Sequence, residues 1–149
     1  MTGRSEKMLS ELDSKAKPIF MFFLDSLDKA IGDDRYMVFE GRRSVRVQEA
    51  YYAQGRQPLS EVNNLRERSG LYLLRSERDN YVITWTLSSM HITGKAMDVL
   101  PVDGRGEPTW DLAHFKRTFE VIRDCGRMAG LVCGADWMEA DWPHYQIKE

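Results

Sequence analysis

The sequence contains no apolar run long enough to cross a lipid bilayer. Its longest run, residues 19–24, has six residues, whereas a membrane-spanning helix needs about 20. The run follows Pro18 and precedes Asp25 and Asp28, so it does not match the core of a signal peptide. We therefore expect no membrane insertion, and the cytoplasm is the predicted location.

Cysteine is scarce, and the charges of the two signs nearly cancel. Seven residues separate Cys125 from Cys133, a spacing that gives neither a CxxC redox pair nor a four-cysteine zinc site. We expect both to be small buried thiols. The 21 lysine and arginine residues face 23 acidic ones, for a formal net charge of −2. General nucleic-acid binders are usually strongly basic, so nucleic acid is not an expected partner.

The length and composition predict one globular domain. A chain of 149 residues can bury a sizeable core without disulfides or a structural metal. Apolar residues make up 42% and charged residues 30%, which is ordinary for a folded protein. No repeat, low-complexity tract or linker interrupts the chain. We expect a single domain over residues 1–149 that acts as a monomer.

The hydrophobic spacing predicts a mixture of helices and short strands. Helical spacing predicts helices over residues 18–31, 44–53 and 112–129. Segments rich in β-branched and aromatic residues, and short apolar segments, predict strands at 36–39, 81–85, 95–99, 131–133 and 144–147. Residues 57–80 are polar and aperiodic, so they are predicted to form a long loop with at most one short helical turn. The irregular order favours an α+β fold, with a small, mostly antiparallel sheet and flanking helices.

Two histidines have carboxylates at short, defined distances along the chain. Asp98 follows His91 by seven residues, and Asp141 precedes His144 by three. Zinc hydrolases commonly use three nitrogen or oxygen ligands, so His91, Asp98 and His144 could form such a set beside Asp141. Neither spacing alone distinguishes a metal site from ordinary histidines. His114 falls on the polar side of the last helix and is assigned no role.

Three sequence blocks give these spacings a context. Residues 89–98 match S-x-H-x-x-G-x-A-x-D, and residues 137–146 match W-x-x-x-D-x-P-H-x-Q. Upstream stand G-R-R-S at 41–44, a glutamine at 48 and Y-A-Q-G-R at 52–56. In this order the blocks resemble the VanY-type zinc peptidases, a family of D-alanyl-D-alanine carboxypeptidases and of the L-alanyl-D-glutamate endopeptidases used as phage endolysins. Arg42 and Tyr145 differ from the tyrosine and phenylalanine usual in that family.

The resemblance implies a zinc cofactor with the ligands His91, Asp98 and His144. It also implies that Asp141 is the catalytic carboxylate that accepts and returns a proton. A second assignment stays open from the spacing, with Asp141 as the third ligand and Asp98 in a structural role. The implied fold is that of the D-Ala-D-Ala metallopeptidases and Hedgehog-like domains.

Three further positions match substrate-side residues of the family. Arg43 matches an arginine that polarises the substrate carbonyl or stabilises the oxyanion, so a catalytic role is implied. Gln48 and Ser89 match positions that line the substrate groove. In isolation, the same residues would be interpreted as a solvated charge, an exposed helical amide and a loop hydroxyl.

The function implied by the resemblance is hydrolysis of the stem peptide of bacterial peptidoglycan by a zinc peptidase. A short domain without an export signal favours an L-alanyl-D-glutamate endopeptidase of the phage endolysin type, held in the cytoplasm until it is released to the cell wall. Two alternatives stay open. One is a D-Ala-D-Ala carboxypeptidase or dipeptidase, and the other is a non-catalytic zinc-binding domain of the same fold, which the presence of Asp141 disfavours.

Overall fold

The secondary structure falls into two compact units, one of which is built from both ends of the chain. The computed structural model describes residues 1–149. The split unit comprises Met1–Arg42 and Thr93–Glu149, and the inserted unit comprises Arg43–Ile92. The helices are α1 (Gly3–Ser10), α2 (Lys17–Ala30), α3 (Val45–Ala53), α4 (Leu59–Arg68) and α5 (Leu112–Met128). The strands are β1 (Tyr36–Glu40), β2 (Ala96–Pro101), β3 (Val132–Cys133) and β4 (His144–Gln146).

The four strands form one antiparallel sheet in the split unit, in the order β1-β2-β4-β3. In the central pair, Asp98 lies opposite His144, and Ala96 lies opposite Gln146. Because side chains alternate between the two faces of a strand, these four residues share one face of the sheet. The register thus brings a carboxylate and an imidazole together without any contribution from a loop.

The opposite face of the sheet carries the apolar core. Met97 and Tyr145 are fully buried there, and the Tyr145 ring lies 4.8 Å from the ring of Phe23 on α2. Gly126 on α5 allows this packing, because a Cβ at that position would lie 2.7 Å from the Tyr145 ring. The other large buried residues of α2 and α5 are Phe20, Leu24, Leu27, Phe119 and Ile122.

The interior of the inserted unit is largely polar. Arg66 on α4 is only 3% exposed. Its guanidinium donates to the Gln54 side-chain oxygen at 3.0 Å and to the Tyr72 carbonyl at 2.7 Å. On α3, Gln48 is fully buried, and the hydroxyl of Ser44 caps the helix by accepting from the Val47 amide.

Most of the predicted elements are confirmed. Helices occupy the three segments with helical spacing, and strands occupy four of the five predicted positions. The predicted α+β class with an antiparallel sheet is also confirmed. Cys125 and Cys133 are free and buried, as expected. No helix combines the length and the apolar character needed to cross a membrane.

The prediction of a loop over residues 57–80 is wrong. The segment contains α4, a helix of ten residues, followed by a 3-10 turn at Glu77–Asp79. Only Val62 and Arg66 of α4 are buried. Leu59, Val62 and Leu65 recur at helical spacing, but this stripe is short and the charged Arg66 shares the buried face with Val62.

The predicted strand at 81–85 is also wrong, since these residues form no β-bridge. Side chains hold the main chain here instead of a neighbouring strand. Arg56 donates to the Thr84 carbonyl at 2.9 Å, and Gln48 donates to the Thr86 carbonyl at 2.7 Å. Tyr81 and Trp85 are exposed. Residues 81–85 therefore have the composition of a strand, but the inserted unit contains no other strand with which they could pair.

Candidate metal centre

Asp98 and His144 meet across the central strand pair of the split unit. The His144 Nδ1 atom lies 3.5 Å from the Asp98 Oδ1 atom, and the two side chains are 10% and 20% exposed. Directly opposed residues of an antiparallel pair are normally close enough for their side chains to interact. The pairing of β2 with β4 is therefore what places these two groups together.

The surroundings of His144 favour its protonated form when no metal is bound. Burial is the largest single influence and lowers the pKa of this imidazole, but the hydrogen bond and the charge of Asp98 act in the opposite direction. Together with contributions from Gln146 and Asp141, they raise the pKa of His144 above its usual value. A group that attracts a proton in this way also attracts a cation, because both bind to the same lone pair.

The main chain of the loop before β4 fixes the distance from Asp141 to His144. The Gly134 carbonyl accepts from the Trp137 amide at 3.1 Å and from the Asp141 amide at 2.9 Å. The Asp141 carbonyl in turn accepts from the His144 amide at 3.1 Å. A Cβ at position 134 would lie 2.2 Å from the Asp141 carbonyl oxygen, so only glycine fits there. The Asp141 side chain itself is exposed.

His91 lies in a turn just ahead of β2 and is almost completely buried. Its amide donates to the Ser89 hydroxyl at 3.2 Å, and its carbonyl accepts from the Arg43 amide at 2.9 Å. The turn ends at Gly94, which has a φ of +71°. A Cβ on Gly94 would lie 2.8 Å from the Asp13 amide nitrogen, so this close approach also requires glycine.

His91, Asp98 and His144 each offer one ligand atom, and these three atoms lie within 4.8 Å of one another. Two imidazoles and one carboxylate are a donor set that zinc commonly takes, with bonds of about 2.0–2.2 Å. Two ligands of one such ion are typically about 3–4 Å apart. The residues therefore fit a zinc ion, and the three ligands predicted from the sequence are the ones that cluster.

Arg43 and Gln48 contact each other within the inserted unit. Arg43 donates to the Gln48 side-chain oxygen at 2.7 Å, and its guanidinium lies 4.9 Å from the centre of the Tyr51 ring. The Gln48 amide nitrogen is bonded to the Thr86 carbonyl at 2.7 Å. Gln48 therefore links Arg43 to the segment that leads into Ser89. The predicted roles of Arg43, Gln48 and Ser89 toward substrate stay predictions.

Two residues beside His144 were not singled out in the sequence as site residues. The Gln146 side-chain oxygen lies 2.8 Å from His144 Nε2, and the Trp137 ring lies 5.0 Å from the His144 ring. Strand alternation could have identified Gln146, because residues two apart on a strand share a face. By contrast, His114 has an exposed side chain that bonds to Asp111 at the start of α5.

Comparison with known proteins adds evidence on the fold. No protein-family model and no curated protein matches the sequence. Among solved structures, the L-Ala D-Glu endopeptidase ChiX of Serratia marcescens matches with a TM-score of 0.57 and 21% identity, over 99% of this chain and 89% of that one. A mutant of the vancomycin-resistance D,D-pentapeptidase VanY in complex with Zn(II) matches with a TM-score of 0.49 and 16% identity, over 91% and 72%. The match to the endopeptidase shows that this chain shares its fold, as the sequence blocks predicted.

Proposed function

We propose that the protein is a zinc-dependent peptidase that cleaves the stem peptide of bacterial peptidoglycan, as an L-alanyl-D-glutamate endopeptidase. The observation that carries the proposal is the cluster of His91, Asp98 and His144. It is supported by the fold, which is shared with an L-Ala D-Glu endopeptidase. The clustered residues are also those that the VanY-type sequence blocks assign to zinc.

The three clustered side chains would hold the ion and leave it chemically active. A Zn²⁺ ion bound by two neutral imidazoles and one carboxylate gives the centre a net charge near +1, since Asp98 is the only charged ligand. When bound, zinc supplies a Lewis acid that polarises a peptide carbonyl and lowers the pKa of a water molecule to about 7. Only His91, Asp98 and His144 are needed for this, so Asp141 is available for proton transfer.

Asp141 is the proposed general base and general acid. Its carboxylate is exposed, and the main-chain bonds through Gly134 hold it at a fixed position relative to His144. The carboxylate takes a proton from the attacking water as the water oxygen bonds to the carbonyl carbon. It then gives that proton to the amide nitrogen as the carbon–nitrogen bond breaks, so that the leaving group departs as a neutral amine.

Arg43 is proposed to stabilise the negative charge that develops on the carbonyl oxygen. Its guanidinium is held by Gln48 and by the face of the Tyr51 ring. A cation whose position is set before the reaction stabilises a transition state more effectively than one that must reorganise. Gln48 and Ser89 are proposed to line the groove for the substrate.

The scissile bond is tested by digestion of purified peptidoglycan with the zinc-loaded protein, followed by mass spectrometry. We expect fragments with a new carboxyl terminus at L-alanine and a new amino terminus at D-glutamate. Release of the terminal D-alanine would identify a D-Ala-D-Ala carboxypeptidase instead. Intact peptidoglycan after treatment with zinc-loaded protein would identify a non-catalytic domain.

The proposed ligand set is tested by separating zinc binding from catalysis. Asp141→Asn should keep about one zinc per chain, while its rate falls by roughly 10²–10⁴-fold, the usual contribution of a positioned acid or base. His91→Ala and Asp98→Asn should lose zinc as well as activity. His114→Ala is the matched control, because its exposed imidazole lies on α5, and it should keep both. Loss of zinc from Asp141→Asn but not from Asp98→Asn would show that Asp141 is the third ligand and that Asp98 has a structural role.

We further propose that the protein acts as a phage-type endolysin that stays in the cytoplasm until the membrane is opened. Expression alone should then leave bacterial cells intact. Expression with a pore-forming protein should lyse them, and Asp141→Asn should abolish that lysis. Lysis by the protein alone would contradict the proposed location.

A further inference from the structure

A segment of the inserted unit, residues 81–87, exposes apolar side chains along its whole length. Every second residue is large, apolar and between 45% and 78% exposed, namely Tyr81, Ile83, Trp85 and Leu87. Residues 81–90 contain no charged side chain, although 30% of the chain is charged, and four of them are threonine or serine. An exposed apolar surface of this kind commonly marks a binding site.

The main chain of this segment is anchored to the residues that follow α3. Gly55 approaches it so closely that a Cβ there would lie 2.3 Å from the Val82 amide nitrogen. The Arg56 guanidinium donates to the Thr84 carbonyl at 2.9 Å. The exposed side chains therefore extend from a main chain that is held in position.

Arg56 also supports the ring of Trp85. Its guanidinium lies over the indole, 5.5 Å from the ring centre, which is within the range of a cation–π contact. The guanidinium is itself fixed, because it donates to the Tyr52 carbonyl at 2.6 Å and stacks on the Tyr52 ring at 3.9 Å. One face of the indole thus rests on a fixed cation, while most of the ring is open to a ligand. A ligand that binds to a ring held in this way pays little for ordering it.

The composition of the segment favours a neutral ligand that is rich in hydroxyl groups. A surface for anionic lipid carries lysine or arginine beside its apolar groups, and residues 81–90 contain neither. A stable contact with a second copy usually involves about 20–30 residues on each side, far more than this segment offers. Sugar rings, by contrast, have apolar C–H faces that pack on the negative face of an aromatic ring, and their hydroxyl groups match the neighbouring threonines and serines.

The substrate of the proposed function carries such sugars close to its scissile bond. In peptidoglycan the lactyl group of N-acetylmuramic acid acylates the L-alanine of the stem peptide, so one residue separates the L-Ala–D-Glu bond from the glycan strand. At about 3.5 Å for each extended unit, the first sugar lies about 7 Å from the carbonyl that is attacked. Trp85 precedes the proposed ligand His91 by six residues, so the two are separated by at most about 21 Å. A glycan strand whose stem peptide lies at the metal centre can therefore reach Trp85.

We propose that Trp85 stacks against a sugar of the glycan strand and forms a carbohydrate-binding subsite on the inserted unit. The identity of the ligand rests on the proposed function, whereas the supported aromatic ring does not. The subsite makes the protein prefer stem peptides that are still attached to glycan over free stem peptides.

The subsite is tested by calorimetric titration of the zinc-free protein, so that the ligands are not cleaved. One ligand is the stem tetrapeptide linked to the disaccharide of N-acetylglucosamine and N-acetylmuramic acid. The other is the same tetrapeptide acetylated at its L-alanine, which keeps the amide and the charge but lacks the sugar. We expect the sugar to raise the affinity of the wild-type protein about tenfold, the scale of one aromatic contact. Equal affinities for the two ligands, or binding of neither, would overturn the inference.

Variants of Trp85 show whether the aromatic ring is responsible. Trp85→Leu should lose the gain from the sugar and keep the affinity for the acetylated peptide, while Trp85→Phe retains a flat ring and should keep most of the gain. Trp110→Leu is the matched control, because Trp110 is an exposed tryptophan of the split unit, and it should behave as the wild type. Equal losses for both ligands in Trp85→Leu, with folding checked by thermal unfolding, would show a structural role and overturn the inference.

Two further measurements identify the partner if the sugar brings no gain. Sedimentation with phosphatidylglycerol vesicles that depends on Trp85 would identify a membrane surface instead. A dimer that is seen by analytical ultracentrifugation and is lost in Trp85→Leu would identify a second copy of the chain.

Failure of this inference is distinguishable from failure of the proposed function. Zinc-loaded protein that cleaves the L-Ala–D-Glu bond, without any gain in affinity from the sugar, refutes the subsite alone. Zinc-loaded protein that leaves peptidoglycan intact, while the sugar raises the affinity through Trp85, refutes the activity alone.

Discussion

In the split unit the interior consists of aromatic and aliphatic side chains, whereas in the inserted unit charged and amide side chains occupy much of the interior. Phe23 and Tyr145 represent the first kind, with a ring contact that is much less directional than a hydrogen bond. Arg66 and Gln54 represent the second, joined by a buried hydrogen bond of 3.0 Å. Apolar burial stabilises roughly in proportion to area, but a buried polar group stabilises only when its partners are present.

The comparison teaches that the two units should respond differently to mutation. The split unit should lose stability according to the volume removed from its core. The inserted unit should instead lose it according to the number of polar groups left without partners. Substitutions matched within each unit can test this difference.

The largest effect is expected for Phe23→Ala in the split unit. Removal of a fully buried phenylalanine leaves a cavity beside Tyr145. The expected loss in the free energy of unfolding is about 4 kcal/mol, measured by urea denaturation. Phe22→Ala is the control on the same helix, because Phe22 is exposed and should cost less than about 0.5 kcal/mol. Similar losses in the two variants would contradict the location of the core.

A smaller but substantial effect is expected for Arg66→Met in the inserted unit. The methionine fills much of the same space but leaves the Gln54 side-chain oxygen and the Tyr72 carbonyl without their donor. We expect a loss of about 2 kcal/mol, since an unsatisfied buried acceptor such as the Gln54 oxygen costs about 1–3 kcal/mol, whereas Tyr72 is an exposed residue. Faster amide hydrogen exchange should be confined to the inserted unit.

Arg68→Met on the same helix is the control for the loss of charge, because Arg68 is exposed. It should change the stability by less than about 0.5 kcal/mol. If Arg66→Met were as stable as Arg68→Met, the polar interior would not be what holds the inserted unit together, and the contrast between the units would fail.

The smallest effect concerns the pH dependence of stability and the buried thiol of Cys133. Burial, with a smaller contribution from the charge of Asp136, raises the pKa of this thiol to about 11, whereas an unfolded cysteine has a pKa of about 8.5. The folded state therefore keeps its proton longer than the unfolded state. The stability from this group is complete below pH 8.5 and is lost as the pH rises toward 11.

Cys133→Ala should remove this part of the alkaline loss of stability. Thermal unfolding of the wild-type protein and the variant between pH 7 and pH 10.5 should show a steeper decline for the wild type. Parallel curves would show that the thiol is accessible to solvent in the folded state. The outcome would then contradict the tight packing of the split unit around β3.

The same contrast explains which parts of the fold could be predicted from the sequence. Most elements of the split unit, and α3 of the inserted unit, were predicted because apolar residues repeat with the period of a helix or a strand, whereas the short α1 was not predicted. In the inserted unit, α4 escaped prediction because its apolar residues are few and a charged residue, Arg66, shares its buried face with Val62. The supposed strand at 81–85 has the composition of a strand, but no pattern in the sequence shows whether a neighbouring strand exists.

The candidate metal centre was predicted more completely than the fold around it. The spacing of glycine, alanine and aspartate after His91 encodes a turn followed by a strand, so the local sequence positions both proposed ligands. His144 could be assigned as a proposed zinc ligand because the block at residues 137–146, which resembles that of the VanY-type peptidases, is also short and local. The need for glycine at 134 was not visible, since it depends on a contact with Asp141 seven residues later.

The hydrogen bonds to the Gly134 carbonyl also bear on which positions of the sequence can be substituted. Because this carbonyl accepts from two amides of the following loop, main-chain bonds hold the path of that loop, together with the packing of Trp137 on His144. The side chains of Met138 and Glu139 are exposed and take no part in these bonds. We therefore expect that both can be exchanged without displacing Asp141, so that residues 138 and 139 can vary, by selection or by design, while the position of Asp141 stays the same.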